Sequence, residues 1–286
     1  MNSQAVDPAE FRDGQRNLWN TAATGWRKHS ELIDASSSGV ADRLVEMAGV
    51  EPGSRVLDIA AGYGEPSLSA ARVAGPDGSV VATDISSQML AYGRERAADA
   101  GLENIEFVES DAASLEFPEQ SFDAALSRWG IIFDPDGEAA AARVRGFLKP
   151  GGRMAIASWG TLDQVPFLAI PMMTAMKKLD VPPPPPGTPG SLSRPTPEAL
   201  GGLLEGGGFS EVETEQTEVT MEYPSAEEFT TFVREIAPPV TAMIEPHPEE
   251  VQAETWSAIT EAARERASGD GTLSLTSVVV LAAGRA

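Results

Sequence analysis

Two carboxylates on either side of a glycine-containing loop are the residues whose types and spacing most directly suggest chemistry. Asp58 closes an apolar run and is followed by the loop, residues 60–64. The next strand-like segment leads to Asp84, twenty residues past Gly64. An acid at that distance beyond a glycine loop can accept hydrogen bonds from both hydroxyls of a ribose. The pattern therefore predicts a site for a nucleoside-bearing cofactor.

The loop argues against a dinucleotide. A dinucleotide fingerprint has a third glycine three residues after Gly64, where this chain has Ser67. Asp58 and Glu65 also flank the loop, whereas a pyrophosphate prefers a helix N-terminus free of acids. These acids suit S-adenosylmethionine better, because it carries an ammonium and a sulfonium beside its carboxylate. Two alternatives stay open: Asp58 could cap a helix or pair with an arginine, and Asp84 would serve NAD equally well.

Asp111 and Ala112 favour S-adenosylmethionine because they follow the third predicted strand. An acidic side chain there can accept a hydrogen bond from the adenine amino group, while the next backbone N–H meets a ring nitrogen. Asp111 could instead be a simple turn residue. Met89, in the helix after Asp84, could pack on the adenine face, although a methionine at helical spacing is often a core residue.

Composition narrows the function classes. The chain has 286 residues, 42% of them hydrophobic, which is enough for a large α/β domain. Its formal charge of -22 predicts repulsion of nucleic acid. The absence of cysteine excludes disulfides and thiolate chemistry, and the two histidines, His29 and His247, do not suggest a metal site. Because residues 1–10 do not resemble a signal peptide and no apolar run could span a membrane, we expect a cytoplasmic protein.

Hydrophobic patterning from residue 54 onward alternates strands with helices, as in a parallel sheet wrapped by helices. Strands are predicted at 55–60, 79–83, 105–108, 122–126 and 153–158, with helices at 66–74, 88–100 and 138–147 and a turn at 149–152. Helices at 11–27 and 39–48 precede this series, the first with Trp19 and Trp26 on one face. After it come helices at 167–179, 196–205, 225–236 and 249–267, an extended connector at 182–186, and strands at 212–221 and 273–281.

Several motifs together resemble the class I S-adenosylmethionine-dependent methyltransferases, most closely the branch related to ubiquinone and menaquinone biosynthesis. They are VLDIAAGYG at 56–64, ATDIS at 82–86, ML at 89–90, ESDA at 109–112, FD at 122–123 and LKPGG at 148–152. One position departs from the family pattern, because Ala60 stands where the first loop glycine is usual. We expect the cofactor still to bind, provided that Ala60 has a negative φ.

The resemblance implies an α/β, Rossmann-like sheet of seven strands, mostly parallel with the last strand antiparallel, and helices on both faces. Residues 1–50 would form an N-terminal helical lid and residues 51–160 the cofactor-binding core. Residues 161–286 would complete the sheet and carry an inserted helical cap over the substrate.

The resemblance also implies roles for individual residues. The backbone around residues 60–62 would meet the methionyl group, Asp84 the ribose, and Asp111 with Ala112 the adenine. Ser127 and Arg128 would lie near the sulfonium. Trp26, in the lid, would contact the cofactor carboxylate or the substrate, or only pack. The predicted cofactor site comprises Trp26, Asp58, Ala60, Gly62, Asp84, Ile85, Met89, Asp111, Ala112, Ser127 and Arg128.

We therefore expect methyl transfer to a small apolar or aromatic acceptor, with oxygen favoured over carbon or nitrogen as the methylated atom. Catalysis would rest mainly on proximity, since a sulfonium is already a good leaving group. His29 and His247 are weak candidates for a general base, and no metal is expected. A homo-oligomer is possible. There are two competing hypotheses. The protein could be an NAD-dependent oxidoreductase, or it could have this fold and bind the cofactor without methylating.

Overall fold

The computed structural model describes residues 8–185 and 188–286, and the side chains from residue 12 onward within them. Its strands are β1 (Arg55–Ile59), β2 (Ser79–Asp84), β3 (Ile105–Glu109), β4 (Phe122–Arg128), β5 (Leu148–Trp159), β6 (Ser210–Tyr223) and β7 (Leu273–Arg285). Its helices are α1 (Pro8–Lys28), α2 (Ser30–Met47), α3 (Ser67–Ala74), α4 (Ser87–Asp99), α5 (Gly137–Phe147), α6 (Pro166–Leu179), α7 (Pro197–Gly206), α8 (Ala226–Ile236), α9 (Pro238–Ile244) and α10 (Glu249–Arg264).

The strands form one sheet in the order β3-β2-β1-β4-β5-β7-β6. β7 runs antiparallel to both neighbours, and the other strand pairs are parallel. The predicted Rossmann-like architecture is therefore confirmed. The order reverses at β1, whose neighbours are β2 on one side and β4 on the other. In open α/β sheets, ligands bind at the carboxyl ends of the strands beside such a reversal.

Burial on both faces explains why the central strands read as continuous apolar runs. Val56 packs into the core on one face of the sheet, together with Leu44 of α2 and Ala70 of α3. Leu57, the next residue, packs into the core on the other face with Val144 of α5. Helices thus cover both faces of the sheet, which holds the strand ends in fixed positions. No described helix combines the length and apolarity needed to cross a bilayer.

Several predicted boundaries were wrong. α2 begins at Ser30 rather than at residue 39, because the serine-rich stretch is held in the helix by packing: Ile33 and Ser37 are both buried. The Ser37 hydroxyl also donates to the Ile33 carbonyl oxygen at 2.6 Å. α9 was not predicted, since Pro238 and Pro239 look like helix breakers, although proline is tolerated in a first helical turn.

Other differences are extensions. β5 begins at Leu148 because the predicted turn at 149–152 forms a β-bulge against β4, and β7 continues to Arg285. The predicted connector at 182–186 lacks helix and strand over 182–185, and residue 186 lies outside the described residues.

α1 packs across the sequence-distant helix α8. The Trp26 indole N–H donates to the Ile236 carbonyl oxygen at 3.1 Å, and the Lys28 ammonium pairs with Glu235 at 2.7 Å. Gly25 permits this approach, since a Cβ at that position would lie 2.2 Å from the Glu235 carbonyl oxygen. Trp19 and Trp26 share a face as predicted, with ring centroids 6.2 Å apart.

Candidate functional site

A cavity of about 770 Å³ opens where the carboxyl ends of β1, β2 and β4 meet. Nine of the eleven predicted cofactor residues line it: Trp26, Ala60, Gly62, Asp84, Ile85, Met89, Asp111, Ala112 and Arg128. Asp58 and Ser127 are not part of its wall. The topology therefore gathers residues from five separate sequence segments around one volume.

Asp84 is the last residue of β2, and its carboxylate holds the loop that follows β1. One oxygen accepts from the Gly62 backbone N–H at 2.8 Å, and the other accepts from the Ser86 N–H at 2.7 Å. Burial raises the pKa of Asp84 to about 6, and hydrogen bonds from the Ser86, Gly62 and Ile85 backbone limit that rise. These hydrogen bonds do not use all four lone pairs of the carboxylate, so it can still accept from a ligand in the cavity.

Asp58 lies beneath the loop, fully buried, and differs from the expectation of a cavity-facing acid. One oxygen accepts from the Ser67 hydroxyl at 2.5 Å, and the other has no partner within the described chain. Burial raises its pKa to about 7, opposed by the Ser67 hydrogen bond and the charge of Arg128. The serine that replaces a third glycine is therefore the hydroxyl partner of Asp58, which ties α3 to β1.

Ala60 has a φ of 57°, so the expectation of a negative φ was wrong. This left-handed conformation costs an alanine roughly 1–2 kcal/mol. A Cβ added at Gly130 would lie 2.3 Å from the Ala60 Cβ, so the two loops at the ends of β1 and β4 touch only because Gly130 has no side chain. The methyl group at the first glycine position of the loop is thus accommodated by a glycine elsewhere.

Asp111 both caps its own turn and faces the cavity. Its Oδ1 accepts from the backbone N–H groups of Ala113 and Ser114, each at 3.0 Å, at the start of a short 3₁₀ helix. The Arg12 guanidinium of α1 lies 3.9 Å from its other oxygen. Met89, which is 3% exposed, contributes to both the core and the cavity wall. The turn-residue and ligand-facing interpretations of Asp111 are therefore compatible.

Arg128 brings a nearly buried positive charge to the cavity, with 7% of the residue exposed. Its Nη1 donates to the Ser37 hydroxyl oxygen of α2 at 3.0 Å, and no carboxylate lies within ion-pair distance of it in the described chain. Ser127, the residue before it, points into the protein: its hydroxyl donates to the Ile59 carbonyl oxygen and accepts from the Ile131 N–H, both at 2.9 Å. Ser127 thus braces the β1 and β4 ends instead of lining the cavity.

Neither histidine lies in the described cavity wall, so the structure does not support His29 or His247 as a base at the reacting atoms. The His29 Nε2 pairs with the Glu235 Oε2 at 2.5 Å, and its ring packs against Phe232. His247 contributes backbone hydrogen bonds to a turn before α10. Nor do three His, Cys, Asp or Glu side chains cluster as a metal site requires, anywhere in residues 8–185 and 188–286.

The other part of the cavity is apolar and was only partly foreseen. Trp129 and Trp159 stack with ring centroids 4.4 Å apart and an interplanar angle of 5°, and Phe167 packs edge-on against Trp159 at 4.8 Å. Three methionines complete this wall: Met172, Met221 and Met243. The tryptophan pair was missed because Trp129 and Trp159 lie thirty residues apart and meet only through the β4–β5 pairing.

The described wall thus has two chemically distinct parts. One carries carboxylates, loop N–H groups and a buried guanidinium, and the other is an apolar chamber of indole, phenyl and thioether groups. Histidine, lysine and cysteine are absent from the described wall.

Comparisons with known proteins agree with this geometry. Residues 56–152 match the model of a methyltransferase domain family. The ubiquinone/menaquinone biosynthesis C-methyltransferase UbiE of Teredinibacter turnerae is 32% identical over 223 residues, which span 73% of this chain and 88% of that protein. A putative methyltransferase of Bacillus halodurans has a similar structure, with a TM-score of 0.55, 19% identity and coverage of 86% of this chain and 98% of that one. The [4+2]-cyclase SpnF also shares the fold, with a TM-score of 0.54, 18% identity and coverage of 93% and 96%.

Exchanging the alanine and glycine at the loop contact tests the packing argument. Gly130→Ala should destabilise the protein by about 1–3 kcal/mol, mainly through overpacking against Ala60 and less through the Ser127 hydroxyl at 2.9 Å and the Ile59 carbonyl oxygen at 3.0 Å. In an Ala60→Gly background the same change should cost at least about 1 kcal/mol less, because the clashing methyl group is gone. Urea unfolding measures both costs. Gly202→Ala in α7, where a Cβ meets nothing within 4 Å, is the control and should be neutral or stabilising. Equal costs in both backgrounds would contradict the proposed contact.

Proposed function

Since this chain belongs to the class I S-adenosylmethionine-dependent methyltransferases related to UbiE, we propose that it methylates a ring carbon of an electron-rich aromatic small molecule. One observation carries this proposal: the cavity joins the polar loop ends of β1, β2 and β4 directly to an apolar aromatic chamber. When bound, S-adenosylmethionine supplies an electrophilic methyl group on a leaving sulfur.

The charges around the polar part fit this cofactor. Asp84 can accept from the ribose hydroxyls while it holds Gly62. Asp111 can accept from the adenine amino group, with Met89 against the ring. The Arg128 guanidinium suits the methionyl carboxylate, and Glu65 in the wall suits the ammonium. We propose positioning roles for Asp58 and Ser127, which brace the loop from below.

The chain's own contribution to the reaction is alignment and exclusion of water. We propose that α1 and α2 act as a lid, because Trp26 and Trp19 line the cavity while α1 is fixed to α8. The segment after β5 would supply the acceptor chamber. Holding two reactants in line in a dry, apolar volume is enough for a substitution with a good leaving group.

The wall also bears on which atom is methylated. A hydroxyl nucleophile has to lose its proton before or during attack. In the described wall the side chains able to take it are the carboxylates of the polar part, Glu65, Asp84, Asp111 and Asp134, and the aromatic and thioether groups of the chamber offer none. Burial raises the pKa of Tyr63, the loop tyrosine, far above neutrality, so it cannot act as a base. A ring carbon can be methylated first and lose its proton afterwards. We therefore favour carbon over the oxygen expected from sequence, in keeping with the C-methyltransferase name of the relative.

Product analysis tests the proposal. Incubation with S-adenosylmethionine carrying a deuterated methyl group and naphthalene-1,4-diol, under exclusion of oxygen, should give a ring-methylated diol. Nuclear magnetic resonance separates this product from 4-methoxy-1-naphthol. A methoxy product would overturn the assignment to carbon. Tight binding of S-adenosylhomocysteine with no transfer to this or other aromatic acceptors would favour a protein that binds the cofactor without methylating.

Protonation of Asp84 should weaken cofactor binding at low pH. The carboxylate that accepts from the ribose must be ionised. Because its pKa is about 6, its protonation falls in a pH range where binding can be measured. The affinity for S-adenosylhomocysteine, measured calorimetrically, should be constant above pH 7 and fall about tenfold per unit below pH 6. Asp84→Asn should bind weakly without this pH dependence. Asp58→Asn, which keeps an oxygen to accept from the Ser67 hydroxyl, should retain the pH dependence of binding.

Titration of Asp84 and Asp58 would not imitate this loss by unfolding the protein. A carboxyl group whose folded pKa is raised contributes stability that is fully present below its unfolded pKa of about 4. That contribution is lost as the pH rises through 6 for Asp84 and 7 for Asp58. These two groups therefore stabilise the fold at the low pH where binding should fail. A low-pH loss that persists in Asp84→Asn would contradict the assignment of Asp84.

A further inference from the structure

Trp129 combines features that the fold alone does not require. It directly follows the last residue of β4 and lies in the cavity wall. Its φ is 57°, a left-handed conformation that is unusual for a bulky side chain. Residues in such strained conformations persist where the surrounding contacts hold them in place, and they cluster at ligand sites.

The strain is enforced by two neighbours on β5. The Trp129 backbone N–H donates to the Ala157 carbonyl oxygen at 3.1 Å, and its indole lies parallel to that of Trp159. Trp159 is itself held by Phe167 of α6. The indole of Trp129 therefore has one fixed position, at the boundary between the polar loop ends and the apolar chamber.

The Trp129 indole nitrogen is buried and has no hydrogen-bond partner within the described chain. Two other cavity indoles are paired: that of Trp19 donates to the Gln15 side-chain oxygen at 3.1 Å, and that of Trp26 donates to the Ile236 carbonyl oxygen. A buried indole N–H usually finds a partner, and leaving one unpaired is unfavourable. The donor of Trp129 therefore needs a partner from outside the described chain, and a ligand oxygen can supply it if the groups that cover the nitrogen move aside on binding.

Positive charge lies over the Trp129 ring. The Arg128 guanidinium carbon is 5.0 Å from the centroid of the Trp129 ring. A cation at that distance favours a ligand oxygen that carries full or partial negative charge. Aromatic hydroxyl and quinol oxygens have this character, whereas a hydrocarbon has no atom to offer.

We infer that Trp129 is a specificity-determining residue for the acceptor. Its N–H receives a ring oxygen of a planar aromatic acceptor, and Trp159 holds the indole in place for that contact. The inference rests on the proposed function, because it assigns the chamber beside the cofactor to the acceptor. It adds that the acceptor carries an oxygen substituent. Trp129 then recognises this oxygen as well as the flat shape of the acceptor.

The test compares two probes of the same shape, 2-naphthol and 2-methylnaphthalene, on the full chain saturated with S-adenosylhomocysteine. Calorimetry gives the ratio of their affinities. Trp129→Phe keeps an aromatic ring and removes the N–H, so it should lower the preference for 2-naphthol about five- to tenfold. S-adenosylhomocysteine affinity should stay within about twofold, as expected when one contact serves the acceptor alone. Trp256→Phe is the matched control, because Trp256 is a buried residue of α10 outside the described cavity wall, and it should leave the ratio unchanged.

A ratio unchanged in Trp129→Phe would overturn the inference, as would a loss of S-adenosylhomocysteine affinity, which would make Trp129 a cofactor residue. Failure of the unaltered protein to bind S-adenosylhomocysteine at all would instead sink the proposed function. The unaltered protein gives an independent readout that does not depend on a variant folding. With ¹⁵N-labelled indoles, 2-naphthol should shift the Trp129 N–H resonance downfield and 2-methylnaphthalene should not, and equal shifts from both probes would overturn the inference.

Discussion

The site depends on a buried carboxylate that joins two strand ends. Asp84 accepts from Gly62 after β1 and from Ser86 before α4, so one side chain fixes the glycine loop and the start of the next helix. Keeping this group charged in a buried place is unfavourable, which is why its pKa rises to about 6 despite three backbone hydrogen bonds. A purely structural link could use a neutral residue. A carboxylate with free lone pairs facing a cavity makes sense when a ligand completes its hydrogen bonds.

The N-terminal helices depend on the same loop. The Tyr63 hydroxyl donates to Asp34 of α2 at 3.0 Å, and Arg96 of α4 binds both Asp34 and the Tyr63 carbonyl oxygen. Asn20 of α1 accepts from the Ser86 hydroxyl at 2.7 Å. The helices that cover the cavity are therefore fastened to the residues that Asp84 organises. A shift of the loop would move the partners of α1 and α2, so the proposed lid would respond to cofactor binding through this network.

The sequence was most informative where local pattern and burial agree. The apolar runs of β1, β2 and β4 lie in the middle of a parallel sheet, so the prediction that they are strands is confirmed, and with it the position of Asp84 at the end of β2. The serine-rich start of α2 was missed because serine is a poor helix former and only the burial of Ile33 and Ser37 overrides that tendency.

Long-range contacts set the limits of prediction at the site. The space for the Ala60 methyl group depends on Gly130, seventy residues away, and the stack of Trp129 on Trp159 depends on strand pairing. Asp58 was expected in the cavity because an acid beside a glycine loop suggests ligand contact, whereas its partner is Ser67 within the protein. Residue type and spacing predicted which cofactor binds. The composition of the acceptor wall emerged only from the tertiary structure.

A crystal structure with S-adenosylhomocysteine bound is the most direct test of the central claim. The account predicts the ribose hydroxyls within hydrogen-bond distance of the Asp84 carboxylate, which still holds Gly62, and the homocysteinyl carboxylate at the Arg128 guanidinium. The sulfur should face the chamber that contains Trp129. A ligand whose ribose lies away from Asp84, or whose sulfur points away from that chamber, would contradict it.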